Sequence, residues 1–172
     1  MGWRQLAAPY VLDRLLPGRG DPRAWATIGL TAIDLYPEPS WNFVFGQASP
    51  ASRSGVWSMF RFGDPGESAD AERTCLLRTI KTASHEVAHM LSIHHCIAYE
   101  CVMNGSNHLG ELDRRPTDLC PHCLSKLMWC TGGDPVRRAQ RLLEFHAAHG
   151  FRAGQTANRK ALALLEQQRR MK

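Results

Sequence analysis

Between His94 and Cys130 the chain shows no sustained hydrophobic period, yet this stretch carries five of its six cysteines, two glycines, two asparagines and the triplet Arg114-Arg115-Pro116. A segment of that length without helical or strand periodicity needs something other than apolar burial to hold it. The cysteine spacing supplies a candidate. Cys96 and Cys101 form one close pair and Cys120 and Cys123 another, separated by a loop. Two such knuckles can set four sulfurs tetrahedrally around Zn²⁺ at about 2.3 Å. A closed four-sulfur site has no open position, so its role is structural, and metal binding folds the loop. His122, between two of these cysteines, is a competing ligand and is read as solvent-facing. Cys75 and Cys130 are read as core thiols.

The residues just before this stretch point to a second, different metal site. His85-Glu86-Val87-Ala88-His89 lies in the best helical pattern of the chain, roughly 70–93, where Leu76, Ile80, Ala83, Val87, Met90 and Leu91 fall on one stripe. His85 and His89, one turn apart, can reach one ion from the opposite face, and Glu86 can lean toward a metal-bound water and take its proton. Catalytic zinc commonly has three protein ligands and an open fourth position. The spacing favours His95 as the third, with His94 as the competing candidate. The cysteine zinc would then brace the turn that aims His95.

Elsewhere the pattern is that of an α+β protein. A short helix is expected at about 8–16, then a buried strand in WATIGLTAIDLY (25–36), a second in SWNFVFGQAS (40–49) and a third in SGVWSMFRFG (54–63). The third is read either as an edge on which an extended substrate pairs or as ordinary sheet core. After the cysteines, Asp134 caps a helix that Gly150 ends, and a last helix runs about 157–170. With 172 residues the chain is read as a single domain, 1–172, with a zinc-braced loop segment 94–130 and a helical segment 134–172.

Charge narrows the partners. Residues 131–172 hold nine arginines and lysines against three acids, so the net +5 of the chain resides there. These cations sit on amphipathic helices without interleaved aromatics, which reads as solvated helix faces rather than a nucleic-acid surface. No apolar run reaches the ~20 residues of a membrane span, and the start of the chain lacks a signal-peptide core. Six cysteines without a secretory signal suggest metal or free thiols, and a cytoplasmic location.

The stretch HEVAHMLSIHHCIAYECVMNGSNHLGELDRRPTDLCPHCLSKL combines the histidine site, a Cys-x4-Cys-x-Met step, Arg-Arg-Pro and a closing Cys-x2-Cys. It resembles the archaemetzincins, zinc metallopeptidases of the metzincin clan. IDLYPEPSWNFVFGQAS upstream is similar as well, so the resemblance spans roughly residues 25–150. It implies a metzincin-like fold, in which a small twisted mixed sheet packs on the active-site helix. It implies two zinc ions, one on His85, His89 and His95 with Glu86 as general base, the other on Cys96, Cys101, Cys120 and Cys123. Met103 would be the methionine of the turn beneath the histidines. The implied activity is hydrolysis of a peptide or protein substrate. The alternative is a catalytically idle, zinc-stabilised binding module with a basic C-terminal surface. One position departs from the pattern: Ser92 stands where the clan has glycine, and a side chain in the left-handed turn expected there costs roughly 1–2 kcal/mol. The chain is also shorter at its amino end than the family leads one to expect.

Overall fold

The order of elements in a computed structural model of the chain, which describes residues 4–171, follows from where its branched and aromatic residues alternate and where its helices are capped. Strand β1 (Gln5–Ala7) leads into helix α1 (Ala8–Tyr10), which continues as a wider π-type turn through Val11–Leu15. Strands β2 (Thr27–Thr31), β3 (Asp34–Tyr36), β4 (Gly46–Ser49) and β5 (Ser54–Ser58) follow. The long helix α2 spans Ala69–Met90, and α3 (Leu109–Arg114), α4 (Pro121–Thr131), α5 (Pro135–Ala148) and α6 (Arg152–Arg170) complete the chain.

The strands form two small sheets. β1 pairs in parallel with β3, and the order β2-β5-β4 makes a mixed sheet in which β2 runs parallel and β4 antiparallel to β5. This corrects the single strand expected over 25–36: a bend at Ala32 and Ile33 splits it, so that β2 and β3 serve different sheets. The strand expected over 40–49 is regular only over β4, with Val44 bridging back to Leu35. Of the two readings of the third strand, sheet core is correct. β5 is central and buried along its length, and the edges are β2 and β4, of which β4 lines the cleft.

β5 is covered on both faces. Val56 joins Ala8, Val11, Leu12 and Leu35 in one core, while Gly55 faces α2 and admits the Met90 side chain where a Cβ would collide with it. Gly46 does the same for Glu86, since a Cβ there would stand 2.9 Å from Glu86 Cγ and Oε1. The helix therefore meets the sheet through Glu86 and Met90, one turn apart, of which Met90 belongs to the expected stripe and Glu86 does not. That stripe is half-buried, with Leu76 exposed. The face opposite is roofed by the 102–115 segment, so His85 and Lys81 are buried too.

Helix α2 starts at Ser68, whose hydroxyl accepts from the Ala71 amide, with Asp70 and Glu72 complementing the N-terminal dipole. The 94–130 segment is not all loop, because α3 and most of α4 lie in it. Lys81 Nζ donates to the carbonyls of Leu112 and Asp113 at the end of α3, at 3.0 and 2.7 Å, and Arg78 grips the Asp113 carboxylate through two nitrogens. Burial holds the Lys81 ammonium down to about 8. Further on, the Asp134 side chain caps α5 as expected, Gly150 adopts φ +69° after it, and α5 and α6 pack as a hairpin on buried His146, Phe151 and Asn158. No helix is long and apolar enough to cross a membrane among the described residues.

Candidate metal centre and cleft

Three imidazoles converge at the end of α2. His85 Nε2 lies 3.0 Å from His89 Nε2 and 3.2 Å from His95 Nε2. What the other ring nitrogens do fixes which atoms face inward. His85 Nδ1 sits 2.8 Å from the Val102 carbonyl, and His89 Nδ1 2.8 Å from that of Ile93. A carbonyl oxygen only accepts, so both Nδ1 atoms carry the proton and both Nε2 atoms turn a lone pair inward. Burial, together with the charge of neighbouring groups, holds His85 down to about 3 and lowers His89 and His95 as well, keeping the rings neutral. Neutral nitrogens on a tetrahedral ion at 2.0–2.1 Å stand ~3.3 Å apart, so this donor set fits zinc. His94 is exposed and outside the cluster.

The turn that brings His95 back is made by the residue that departs from the clan pattern. Ser92 adopts φ +61°, the left-handed conformation expected of glycine. Around it the Ser92 amide donates to His89 O at 2.8 Å and the Ile93 amide to Ala88 O at 3.1 Å, with Ile93 and Ala88 in one apolar cluster. These bonds form a Schellman turn. The serine therefore keeps the glycine geometry, and the same turn offers the Ile93 carbonyl that orients His89.

The four cysteines Cys96, Cys101, Cys120 and Cys123 also converge, buried beneath the histidines' end of α2. Cys96 Sγ and Cys120 Sγ are 3.9 Å apart, close to the ~3.8 Å edge of a tetrahedron with 2.3 Å zinc–sulfur bonds. Burial pushes the Cys123 thiol up. At Cys96 burial acts the same way, but hydrogen bonds from the Ala98 and Tyr99 amides and from the Cys120 and Cys123 thiols together outweigh it and lower that thiol. His122 is exposed, as expected, and Cys75 lies in the core with Phe45, Phe62 and Leu112. Cys130 corrects the expectation of a core thiol. It is exposed, because the last turn of α4 reaches solvent. Met103 is fully buried in the cysteine cluster, beside the Val102 carbonyl that holds His85.

Glu86 is buried between Gly46 and the histidines. Burial pushes its carboxyl up to about 8 against the opposing charge of Arg115. It opens on a cleft of about 840 Å³ with three walls: the 37–50 segment including β4, helix α2, and residues Gly105–Asn107 with Arg115. Asp34 and Arg61 brace the first wall, their paired contacts at 2.7–2.8 Å setting Arg61 over the Phe43 ring.

Two residues of the site carry no sequence signal that singles them out. Asn104 staples the cysteine knuckle: its side chain donates to Cys96 O and Tyr99 O and accepts from the Cys101 amide. Arg115 follows α3 in extended conformation, and Pro116 after it disfavours a further helical residue. Its Nη1 donates to Asn104 O at 2.8 Å and stands 3.1 Å from His85 Nδ1. Burial holds its guanidinium down to about 10, leaving it charged at neutral pH. The Arg-Arg-Pro triplet is the available hint, but only packing decides which arginine turns inward.

An open three-nitrogen centre beside a buried carboxylate, on a helix beneath an edge strand and facing a cleft, has the layout of a metallohydrolase. The model of peptidase family M54 matches residues 23–128. Archaemetzincin-2 of Rattus norvegicus is 40% identical over 148 residues, 71% of this chain and 41% of that protein. Archaemetzincin of Thermococcus kodakarensis is 38% identical over 110 residues, 61% of this chain and 56% of that protein. The crystal structure of archaemetzincin from Methanopyrus kandleri superposes with a TM-score of 0.65 at 34% identity, over 75% of this chain and 67% of that one. That of archaemetzincin from Archaeoglobus fulgidus, complexed with malonate, gives 0.58 at 36% identity, over 72% and 70%. The chain belongs to peptidase family M54, the archaemetzincins. It spans less than half the length of the Archaemetzincin-2 relative, 41%.

Proposed function

We propose that this chain is a zinc metallopeptidase that hydrolyses peptide bonds. In this reading one zinc is held by His85, His89 and His95, and a second by Cys96, Cys101, Cys120 and Cys123. The observation that carries it is the convergence of three Nε2 atoms beside a buried glutamate on the wall of an open cleft. Zinc bound at such a centre supplies Lewis acidity, polarising a peptide carbonyl and lowering the pKa of water toward ~7.

The chain's own residues do the rest. Glu86 accepts a proton on its carboxylate and returns it to the leaving nitrogen, and a carboxyl held at about 8 is suited to both halves of that exchange near neutral pH. β4 pairs with β5 along one side only, so its other edge can hydrogen-bond an extended peptide laid in the cleft. Met103 fills the space under the histidines, and Asn104 transmits the shape of the cysteine knuckle to Arg115 and the His85 side of the cleft. A reducing, cytoplasmic location fits a cysteine set arranged for metal rather than for disulfides.

The test is metal content per chain together with peptide hydrolysis by the wild type and by Glu86→Ala. Two zinc ions in both proteins, with hydrolysis lost only in the variant, is the expected result. A single zinc, held by cysteines alone, would overturn the catalytic reading.

A further inference from the structure

The cleft holds polar chemistry that the histidine centre leaves unused. Six buried side-chain atoms lack a hydrogen-bond partner among the described residues, and four of them belong to residues lining the cleft: Gln47 Oε1, Thr82 Oγ1, Ser106 Oγ and Arg115 Nε. Buried polar groups in native proteins are nearly always paired, so four orphans in one cleft point to a ligand that pairs them. Thr82 makes the contrast within its own helix. Thr74 and Thr79 return their hydroxyls to carbonyls one turn back, both at 2.8 Å, whereas Thr82, a residue of the cleft wall, 1% exposed and one turn before Glu86, keeps its hydroxyl buried and unpaired.

Arg115 is the centre of this group. It is 7% exposed, and no carboxylate lies within 4 Å of it among the described residues. The other arginines shielded from solvent each grip one: Arg61 holds Asp34, Arg78 holds Asp113 and Arg138 holds Asp118. Glu86 acts on it through charge but without contact, and a buried charge with no carboxylate in contact costs stability and is tolerated where something else supplies the partner. Only Nη1 is engaged, by Asn104 O, and His85 Nδ1 cannot accept from it because its proton is committed to Val102 O. Nε and Nη2, the pair that forms the arginine fork for a carboxylate, are left over.

We propose that Arg115, with the hydroxyls of Thr82 and Ser106, forms a carboxylate-binding subsite that selects peptides carrying a carboxylate beside the bond to be cut. That carboxylate is an Asp or Glu side chain or the peptide's own C-terminus. The assignment of selectivity rests on the peptidase reading, whereas the carboxylate-binding step does not. Glu86 packs toward Gly46 and feels the charge of Arg115 without coming within ion-pair distance of it, which leaves the subsite open.

The experiment has two arms on the zinc-loaded full chain. In the first, wild type and Arg115→Gln digest a proteome-derived peptide mixture, and the cleavage sites are read by mass spectrometry. Peptides matched as Glu against Gln, and as free acid against C-terminal amide, are then compared. The expected wild-type preference for the carboxylate is about tenfold or more in kcat/KM, the worth of a charge-assisted hydrogen bond. Loss on amidation identifies the terminus, and loss on Glu→Gln identifies the side chain. Arg115→Gln should abolish the preference, Arg115→Lys should keep part of it, and Ser106→Ala should weaken it. Equal cleavage of every matched pair by the wild type overturns the proposal, and this comparison stands even if Arg115→Gln fails to fold. In the second arm Glu86→Ala, which needs no turnover, binds the same labelled peptides and affinity is read by fluorescence anisotropy. Arg115-dependent preference for the carboxylate, with no hydrolysis by the wild type, would retain the subsite and remove the peptidase reading. Equal binding of acid and neutral peptides would remove the subsite.

Discussion

The two metal-ligand clusters sit at opposite ends of one turn and differ in almost every physical respect. The histidine cluster has three neutral nitrogens, is partly exposed at His95 and opens on a cleft beside a glutamate. The cysteine cluster has four buried cysteines, embedded among apolar side chains. Neighbouring residues, His95 and Cys96, contribute to different clusters. Access thus separates the cluster proposed for chemistry from the one proposed for folding. The histidine side is held by two carbonyls, from Val102 and Ile93, on segments that the cysteine side shapes. The open site is therefore positioned by the closed one, and damage should travel in one direction.

The greatest loss should come from the closed site. Cys120→Ser removes a buried ligand and is expected to lose both zinc ions and the cooperative thermal transition, read by metal analysis and circular dichroism. If that variant kept an ordered histidine centre, the one-way dependence would be wrong. Next, His95→Ala removes an exposed ligand from the open site. It should lose one zinc and all hydrolysis, with the cysteine zinc and most of the thermal stability retained. A third effect concerns pH. Glu86 has to be ionised to accept a proton, and burial raises its carboxyl, so kcat/KM should fall as pH drops through its titration. Arg115 lowers that carboxyl, so Arg115→Gln should move this acidic limb to higher pH, and an unmoved limb would remove the electrostatic link. The mildest change lies in the turn between the sites. Ser92→Gly relieves a side chain at φ +61° and should stabilise the fold by about 1 kcal/mol, seen as a higher Tm with unchanged zinc content.

The members of both clusters are legible from residue type and spacing, because His85 and His89 need only a helix to meet and each cysteine pair needs only a tight turn. The caps of α2 and α5 are legible for the same local reason, with Ser68 and Asp134 bonding amides two or three residues away. The strands are less so. β2 and β3 look like one run, and only the bend at Ala32 and Ile33 sends them to separate sheets. The apolar stripe of α2 is a partial guide to the face that meets the sheet. It includes Met90 but not Glu86, and Gly46 and Gly55, distant in sequence, let the helix approach along both.

Residue type and spacing thus determine the chemistry available: which side chains can bind metal, in which local geometry, and with which carboxylate beside them. Tertiary packing decides what that chemistry faces. It turns Ser92 through a glycine's conformation, makes β4 rather than β5 an open edge, and draws Arg115, not Arg114, into the cleft with no carboxylate in contact. The division is one of range. Ligand spacing and capping act across one or two turns, whereas the burial of a charge or the edge of a sheet depends on segments that meet only after the chain has folded.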